Sequence, residues 1–248
     1  MQELERLLRE HGIRFDRNGN RIRCFPHVIN IAVKAAIKLL SKTPACVLTA
    51  AENYAEALAN DPISRARKLV QMLRVSWPRR QGLRDAIKDG NMRKLFKYEK
   101  QILHSELLRD VDTRWSSLLL MIDRFIEMYE GIMLFLDKAE QKHLKPYALT
   151  EMELRVLIDI RQFLYIFHAV QEILSYEKTP TLSMTIPTYE QLLVLLRTYR
   201  TSDLKTLAHA VNVAILRIEK YLAYARTTRI YALAMGESGL FLLGVAAT

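Results

Sequence analysis

The sequence predicts a mainly α-helical protein with a short mixed α/β segment at its amino end. Apolar residues recur at spacings of three and four through most of the chain. Only 8 Gly and 7 Pro stand among 248 residues, too few to punctuate many strands and turns. Leu, Ala, Arg and Glu, all good helix formers, are abundant. One place reads differently. Ile22 and Cys24 alternate with Arg21 and Arg23 behind the turn signal Arg17-Asn18-Gly19-Asn20, as a short strand would.

Taken in order, Leu4, Leu7 and Leu8 mark a first helix, and Gly12 is its natural stop. After the turn and strand, Pro26 sits near the start of a second helix. Its Ile31, Ala35 and Leu39 share a stripe, with Ala32 and Ala36 beside them. Beyond Pro44 the strand signals stop. Ile63, Ala66, Leu69, Val70 and Leu73 make one amphipathic face that ends at Trp77-Pro78, where the proline drives Trp77 from helical angles. Leu118, Leu119, Ile122, Phe125, Ile126, Tyr129, Ile132, Met133 and Leu136 predict a single long helix, with Thr113 as its candidate cap. Thr150-Glu151-Met152-Glu153 is a capping box that opens a helix reaching about Tyr176. Further helices are expected at about 188–200 and 203–226.

Lys and Arg total 37 against 27 Asp and Glu, a formal charge of +10 that favours an anionic partner. The cations are scattered, so ordinary basic helix faces account for them as well. Cys24 and Cys46 are too few for a disulfide framework and suit a reducing compartment. No apolar run approaches a membrane span, the stretch from Gly239 to Ala247 included, and the amino end lacks a signal peptide's apolar core. A phosphate-binding glycine loop, a nucleophile elbow and a paired metal-binding His helix are all missing, so no small-molecule substrate is expected. His104, His143, His168 and His209 are isolated on helical segments and read as structural.

Asp110-Val111-Asp112-Thr113-Arg114-Trp115-Ser116-Ser117 lies downstream of Cys24-Phe25-Pro26-His27-Val28-Ile29-Asn30 and upstream of Thr179-Pro180-Thr181-Leu182-Ser183 and Ile186-Pro187-Thr188. In that order the three strings resemble the motifs of the hAT family of DNA transposases, over roughly residues 1 to 235. The resemblance implies that residues 1–43 are a remnant of a ribonuclease H-like catalytic core. Residues 44–235 would be the helical insertion domain, and 236–248 an apolar tail outside the family pattern. The family cleaves and joins DNA with two divalent ions, Mg or Mn, held by two Asp and one Glu. The first Asp belongs to strand segments absent here. The second belongs to a Thr-Asp-Asn-Ala-type motif that precedes a helix like that of Glu3 to Arg9. The Glu belongs to a carboxy-terminal region with Trp-rich and Ser-Glu-Arg motifs, and Glu237 has none of that context. The expectation is therefore a truncated or domesticated transposase-derived protein, not an enzyme by itself. It has no catalytic residue, metal or cofactor of its own, and its partners are DNA and a second copy of itself. By resemblance it is nuclear, otherwise cytoplasmic.

By the same resemblance Arg114 and Trp115 inherit a DNA contact, the tryptophan replacing lost stacking for a base flipped out of the flank. The other reading makes Trp115 the first core residue of the helix carrying Leu118 and Leu119. Arg79 and Arg80 resemble paired basic residues of the family, where phosphate contact competes with an ordinary solvated loop. Cys24, His27 and Asn30 would flank the active centre. One Cys and one His cannot close a tetrahedral zinc site, and without the acids a buried Cys24 and a capping or packing His27 are expected. Asn30 fits the family motif and could equally bond a neighbouring backbone group. Asp110 and Asp112 suit the exposed amides of a helix start. A second function class is a helical protein-interaction module using exposed apolar surface, and a third is a decaying copy with no selected function.

Overall fold

The computed structural model describes residues 2–16, 22–40, 52–97, 100–111, 114–174 and 182–244, the side chains of 237–244 excepted. The expected turn at Arg17–Asn20, the break at Pro44, Cys46, the cap Thr113, Asp112, Tyr176 and Thr179–Thr181 lie outside them. The described helices are α1 (Gln2–Glu10), α2 (Phe25–Leu40), α3 (Glu52–Ala59), α4 (Pro62–Arg74), α5 (Trp77–Met92), α6 (Trp115–Glu127), α7 (Tyr129–Leu136), α8 (Glu151–Leu174), α9 (Thr185–Thr201), α10 (Ala208–Arg226) and α11 (Arg229–Gly244). Short 3-10 helices cover Ala139–Tyr147 and Lys205–Leu207. The fold is mainly α, as expected.

The strand at Ile22–Cys24 is not formed, and among the described residues there is no strand at all, only an isolated antiparallel bridge between Val111 and Arg114. Residues 22–24 instead lead into α2. The Cys24 carbonyl accepts the N–H groups of His27 at 3.1 Å and Val28 at 3.2 Å. The Arg23 carbonyl accepts the Tyr231 hydroxyl at 3.2 Å, and its guanidinium lies 4.3 Å from the ring centre of Tyr224. Alternation over so few residues makes a strand only where a neighbouring strand pairs with it.

Helix α1 stops at Gly12, whose φ of 72° belongs to glycine, and the Ile13 N–H reaches back to the Leu8 carbonyl at 2.9 Å. None of its residues is buried. In α2 the covered stripe is Ile29, Ala32, Val33, Ala36 and Leu40. The expected Ile31, Ala35 and Leu39 flank it, half-buried. The buried stripe lies opposite the polar row of His27, Asn30, Lys34 and Lys38, which the expected stripe borders instead.

The predicted face of α4 is buried in full. Asp61 caps it from a left-handed conformation, accepting the Ser64 N–H at 3.1 Å. Pro78 begins α5 rather than only ending α4. The break falls at Val75 and Ser76, and Trp77 is the first helical residue. A proline in the first turn surrenders an N–H that has no helical partner. The long helix expected over 118–136 is two, divided at the buried Met128, where ψ is 0°. Gly131 on α7 comes so close to α5 that a Cβ there would lie 2.4 Å from Ile87 Cγ1, and one at Gly82 would lie 2.9 Å from Phe135. The bend at Met128 lays α7 along α5, a packing that periodicity along one helix does not encode.

The chain forms two compact units. One comprises Met1–Ala36, Ile166–Ser202 and Ala210–Thr248, the other Ile37–Tyr165 and Asp203–His209. In the first, the rings of Phe25 and Tyr189 meet at 4.7 Å, and Arg226 pairs with Glu190 at 2.7 Å. In the second, the Tyr54 hydroxyl donates to Asp159 Oδ2 at 2.7 Å, and burial pushes that carboxyl above its ordinary pKa.

His209 opens the first turn of α10, and its Nε2 is buried without a hydrogen-bond partner among the described residues. Burial holds its pKa below the ordinary 6.5. The folded state then binds this proton less readily than the unfolded state. Stability is complete above about pH 6.5 and is lost as pH falls through the folded pKa. Urea midpoints at pH 7.5 and 5.5 should show a larger acid loss for the wild type than for His209→Gln. Equal losses would remove His209 as the cause.

Candidate functional site

Between Pro62 and Arg84 the chain carries Arg65, Arg67, Lys68, Arg74, Arg79, Arg80 and Arg84 and no Asp or Glu. Folding sorts these cations. Arg65 pairs with Glu153 at 3.3 Å and donates to the Ala148 carbonyl at 2.8 Å. Arg67 meets Asp110 at 2.6 Å, Arg84 meets Glu106 at 2.8 Å, and Arg74 lies 3.6 Å from Glu106 and donates to the Leu107 carbonyl. From α6, Arg124 donates to Ser105 Oγ and to the Glu106 carbonyl, the latter at 3.1 Å. Asn91 takes both backbone groups of Ile102, the carbonyl at 2.8 Å and the N–H at 2.9 Å. Residues 100–111, which have no regular secondary structure before Val111, are thus fastened across α4, α5 and α6 by side chains, with Ile102 and Leu107 buried beneath. His104 lies in this segment and not on a helix.

The segment delivers the Asp110 to Ser117 motif. Asp110 is engaged by Arg67, and its role is an ion pair. The Arg114 N–H donates to the Val111 carbonyl at 2.9 Å, while Ser117 Oγ accepts the Val111 N–H at 2.8 Å and donates to the Arg114 carbonyl at 2.7 Å. The serine therefore ties Val111 to the start of α6. Arg114 is exposed. Trp115 is 5% exposed and opens the helix whose Leu118 and Leu119 are also buried. Its ring lies in the core, with no open face for a base to stack on.

Arg79 and Arg80 sit at the elbow between α4 and α5. Arg79 Nη1 donates to the Met72 carbonyl at 3.1 Å, and Arg80 Nη1 to the Arg74 carbonyl at 2.9 Å. The pair thereby closes the carboxy-terminal end of α4, where cations complement the exposed carbonyls. Arg79 Nη2 also lies 3.3 Å from His143 Nε2. Neither arginine meets a carboxylate among the described residues, and neither does the exposed Lys68. Beside them Trp77 is 66% exposed and Val75 65%. The sequence reading did not single out Trp77 or Lys68 as functional. The acid-free stretch from 62 to 84 is the signal that marks them.

Cys24 is exposed, not buried as expected, and His27 is exposed too. The Cys24 carbonyl rather than its thiol serves α2. Asn30 Oδ1 is buried without a hydrogen-bond partner among the described residues. Among the described residues no group of three or more His, Cys, Asp or Glu is placed to hold a metal ion. No described helix is long and apolar enough to cross a membrane. Compared with protein-family models, curated proteins and solved structures, the chain matches none.

Proposed function

We propose that this chain is a nucleic-acid-binding helical module of hAT transposase descent, acting in the nucleus and not cleaving DNA by itself. The observation that carries the binding is the sorting of cations along α4 and α5. Arg65, Arg67, Arg74 and Arg84 meet carboxylates, Arg74 and Arg84 sharing Glu106, whereas Lys68 on α4 and Arg79 and Arg80 at the elbow meet none among the described residues. Phosphates displace counterions from such cations, and that release drives association. The descent rests on the three motif strings. The proposed lack of cleavage rests on the three matched strings, none of which carries the family's metal-binding Asp or Glu.

The test is fluorescence anisotropy with labelled duplex DNA over a range of salt. Lys68→Gln, Arg79→Gln and Arg80→Gln combined keep donors for the α4 carbonyls but remove three charges. The slope of log K against log salt should become shallower by about 2–3. The same preparation with magnesium or manganese should leave DNA carrying terminal repeats uncut. Failure to bind at low salt, or an unchanged slope, would refute the reading. One observation favours a protein-interaction module instead: α1 buries none of its residues and leaves Leu4 43% and Leu7 41% exposed. Association through that face would be insensitive to salt.

A further inference from the structure

We propose that the elbow between α4 and α5 is a site for an unpaired nucleotide, its base stacked on Trp77 and its phosphate held by Arg79, so that the chain prefers single-stranded nucleic acid to duplex. This rests on the nucleic-acid reading above and specifies its substrate. Trp77 has a feature that a duplex cannot use and a single strand can: a broad aromatic side chain open to solvent, at 66% exposed the most open of the described aromatic residues. In a duplex the bases are already stacked on one another, and only their edges face outward. A single strand offers whole base faces, which stack on aromatic side chains regardless of sequence.

The site is built rather than incidental. Ser76 in extended conformation and Pro78 in the first turn of α5 fix where Trp77 leaves the backbone. The Arg79 guanidinium is held two residues away by the Met72 carbonyl and by His143. A guanidinium fixed in this way loses little freedom on taking up a phosphate. The neighbouring Val75, 65% exposed, extends the apolar surface beside the ring. The residues from 75 to 80 include no carboxylate to repel the phosphate. A protein partner would also bury a tryptophan, but the stretch from 62 to 84, with seven cations and no carboxylate, favours a polyanion.

The experiment compares wild type, Trp77→Ala and Trp77→Phe by anisotropy at one low salt concentration. The probes are a labelled thymidine oligomer of about 15 nucleotides, the matching uridine oligomer, and the thymidine oligomer annealed to its complement. Wild type should bind the single strands more tightly than the duplex. Trp77→Ala should weaken single-strand binding about 5- to 150-fold and duplex binding less than about twofold, and Trp77→Phe should recover most of the loss. Trp77 is solvent-exposed, so the variants should fold as the wild type does, and matching unfolding midpoints check this. Single-strand binding should also quench tryptophan emission in the wild type and much less in Trp77→Phe. Equal loss for single strand and duplex, or none for either, overturns the stacking site while leaving salt-dependent binding intact. Self-association that depends on Trp77 without any change in oligomer binding overturns it in favour of a protein contact. No binding to any probe overturns this proposal and the function together.

Discussion

Trp115→Ala should lower unfolding stability by about 3–5 kcal/mol, the usual cost of truncating a large buried aromatic. Trp115 is 5% exposed and begins α6 directly after Arg114, whose carbonyl Ser117 Oγ holds. Removing the indole opens a cavity at the point where residues 100–111 hand over to the helix, so a partial collapse would loosen that segment too. Trp115→Phe keeps most of the apolar volume and should lose less than half as much. Urea denaturation gives both numbers, and oligomer binding by Trp115→Phe gives the functional one. That variant should bind single strands as the wild type does, since the exposed ring is Trp77. A selective defect of Trp115→Phe toward DNA with an unpaired base, at unchanged stability, would restore the motif tryptophan as the contact.

Glu153→Ala should cost about 2–4 kcal/mol, toward the low end of what a broken buried ion pair costs because Arg65 is 34% exposed and water can rescue it. The carboxylate is 1% exposed. Its Oε2 accepts the Thr150 N–H at 2.8 Å, and the Glu153 N–H returns to Thr150 Oγ1 at 3.2 Å, so one side chain closes the start of α8 and holds Arg65 of α4. Glu153→Gln can keep the cap and loses the charge. Thr150→Ala keeps the charge and loses one half of the cap, worth about 1 kcal/mol. Stability should therefore fall in the order Thr150→Ala or Glu153→Gln first and Glu153→Ala last. Equal midpoints for Glu153→Ala and wild type in urea would mean that the pair is not a stabilising element.

Local rules were the readable part of the fold. The cap at Thr150 and Glu153 depends on four consecutive residues, and the α4 face on a spacing that spans about three turns. Both are present as expected, and Gly12 ends α1 where its freedom to adopt positive φ is needed. What failed depends on partners distant in sequence. The bend at Met128 answers to Ile87 and Gly131. The loss of the strand at Ile22–Cys24 reflects the approach to α2 and Tyr231, more than two hundred residues onward. The α2 stripe was legible after all: its buried face is the one opposite His27, Asn30, Lys34 and Lys38, and the expected Ile31, Ala35 and Leu39 border that polar row. Of the candidate site, Arg79 and Arg80 were visible as a basic pair, but their bonds to the α4 carbonyls were not. The exposure of Trp77 and the burial of Trp115 are opposite fates for one residue type. Each sits at the first position of a helix, and the local difference is one turn on, where Leu118 and Leu119 share the face of Trp115 but Arg80 and Gln81 share that of Trp77.

The discontinuous make-up of the unit containing α1 sets a schedule for the chain as it leaves the ribosome. The residues up to Ala36 belong with partners from 166 onward and from 210 onward. At ordinary elongation rates of about 5–20 residues per second, Val28, Ile29 and Ala32 wait on the order of ten seconds or more before Val211 and Ala214 exist to share a core with them. The unit of Ile37–Tyr165 lacks only seven residues, Asp203–His209, by the time Tyr165 emerges. Synthesis thus imposes an inside-out order, the middle of the chain consolidating first while an apolar α2 stands uncovered, the kind of surface that holding chaperones recognise.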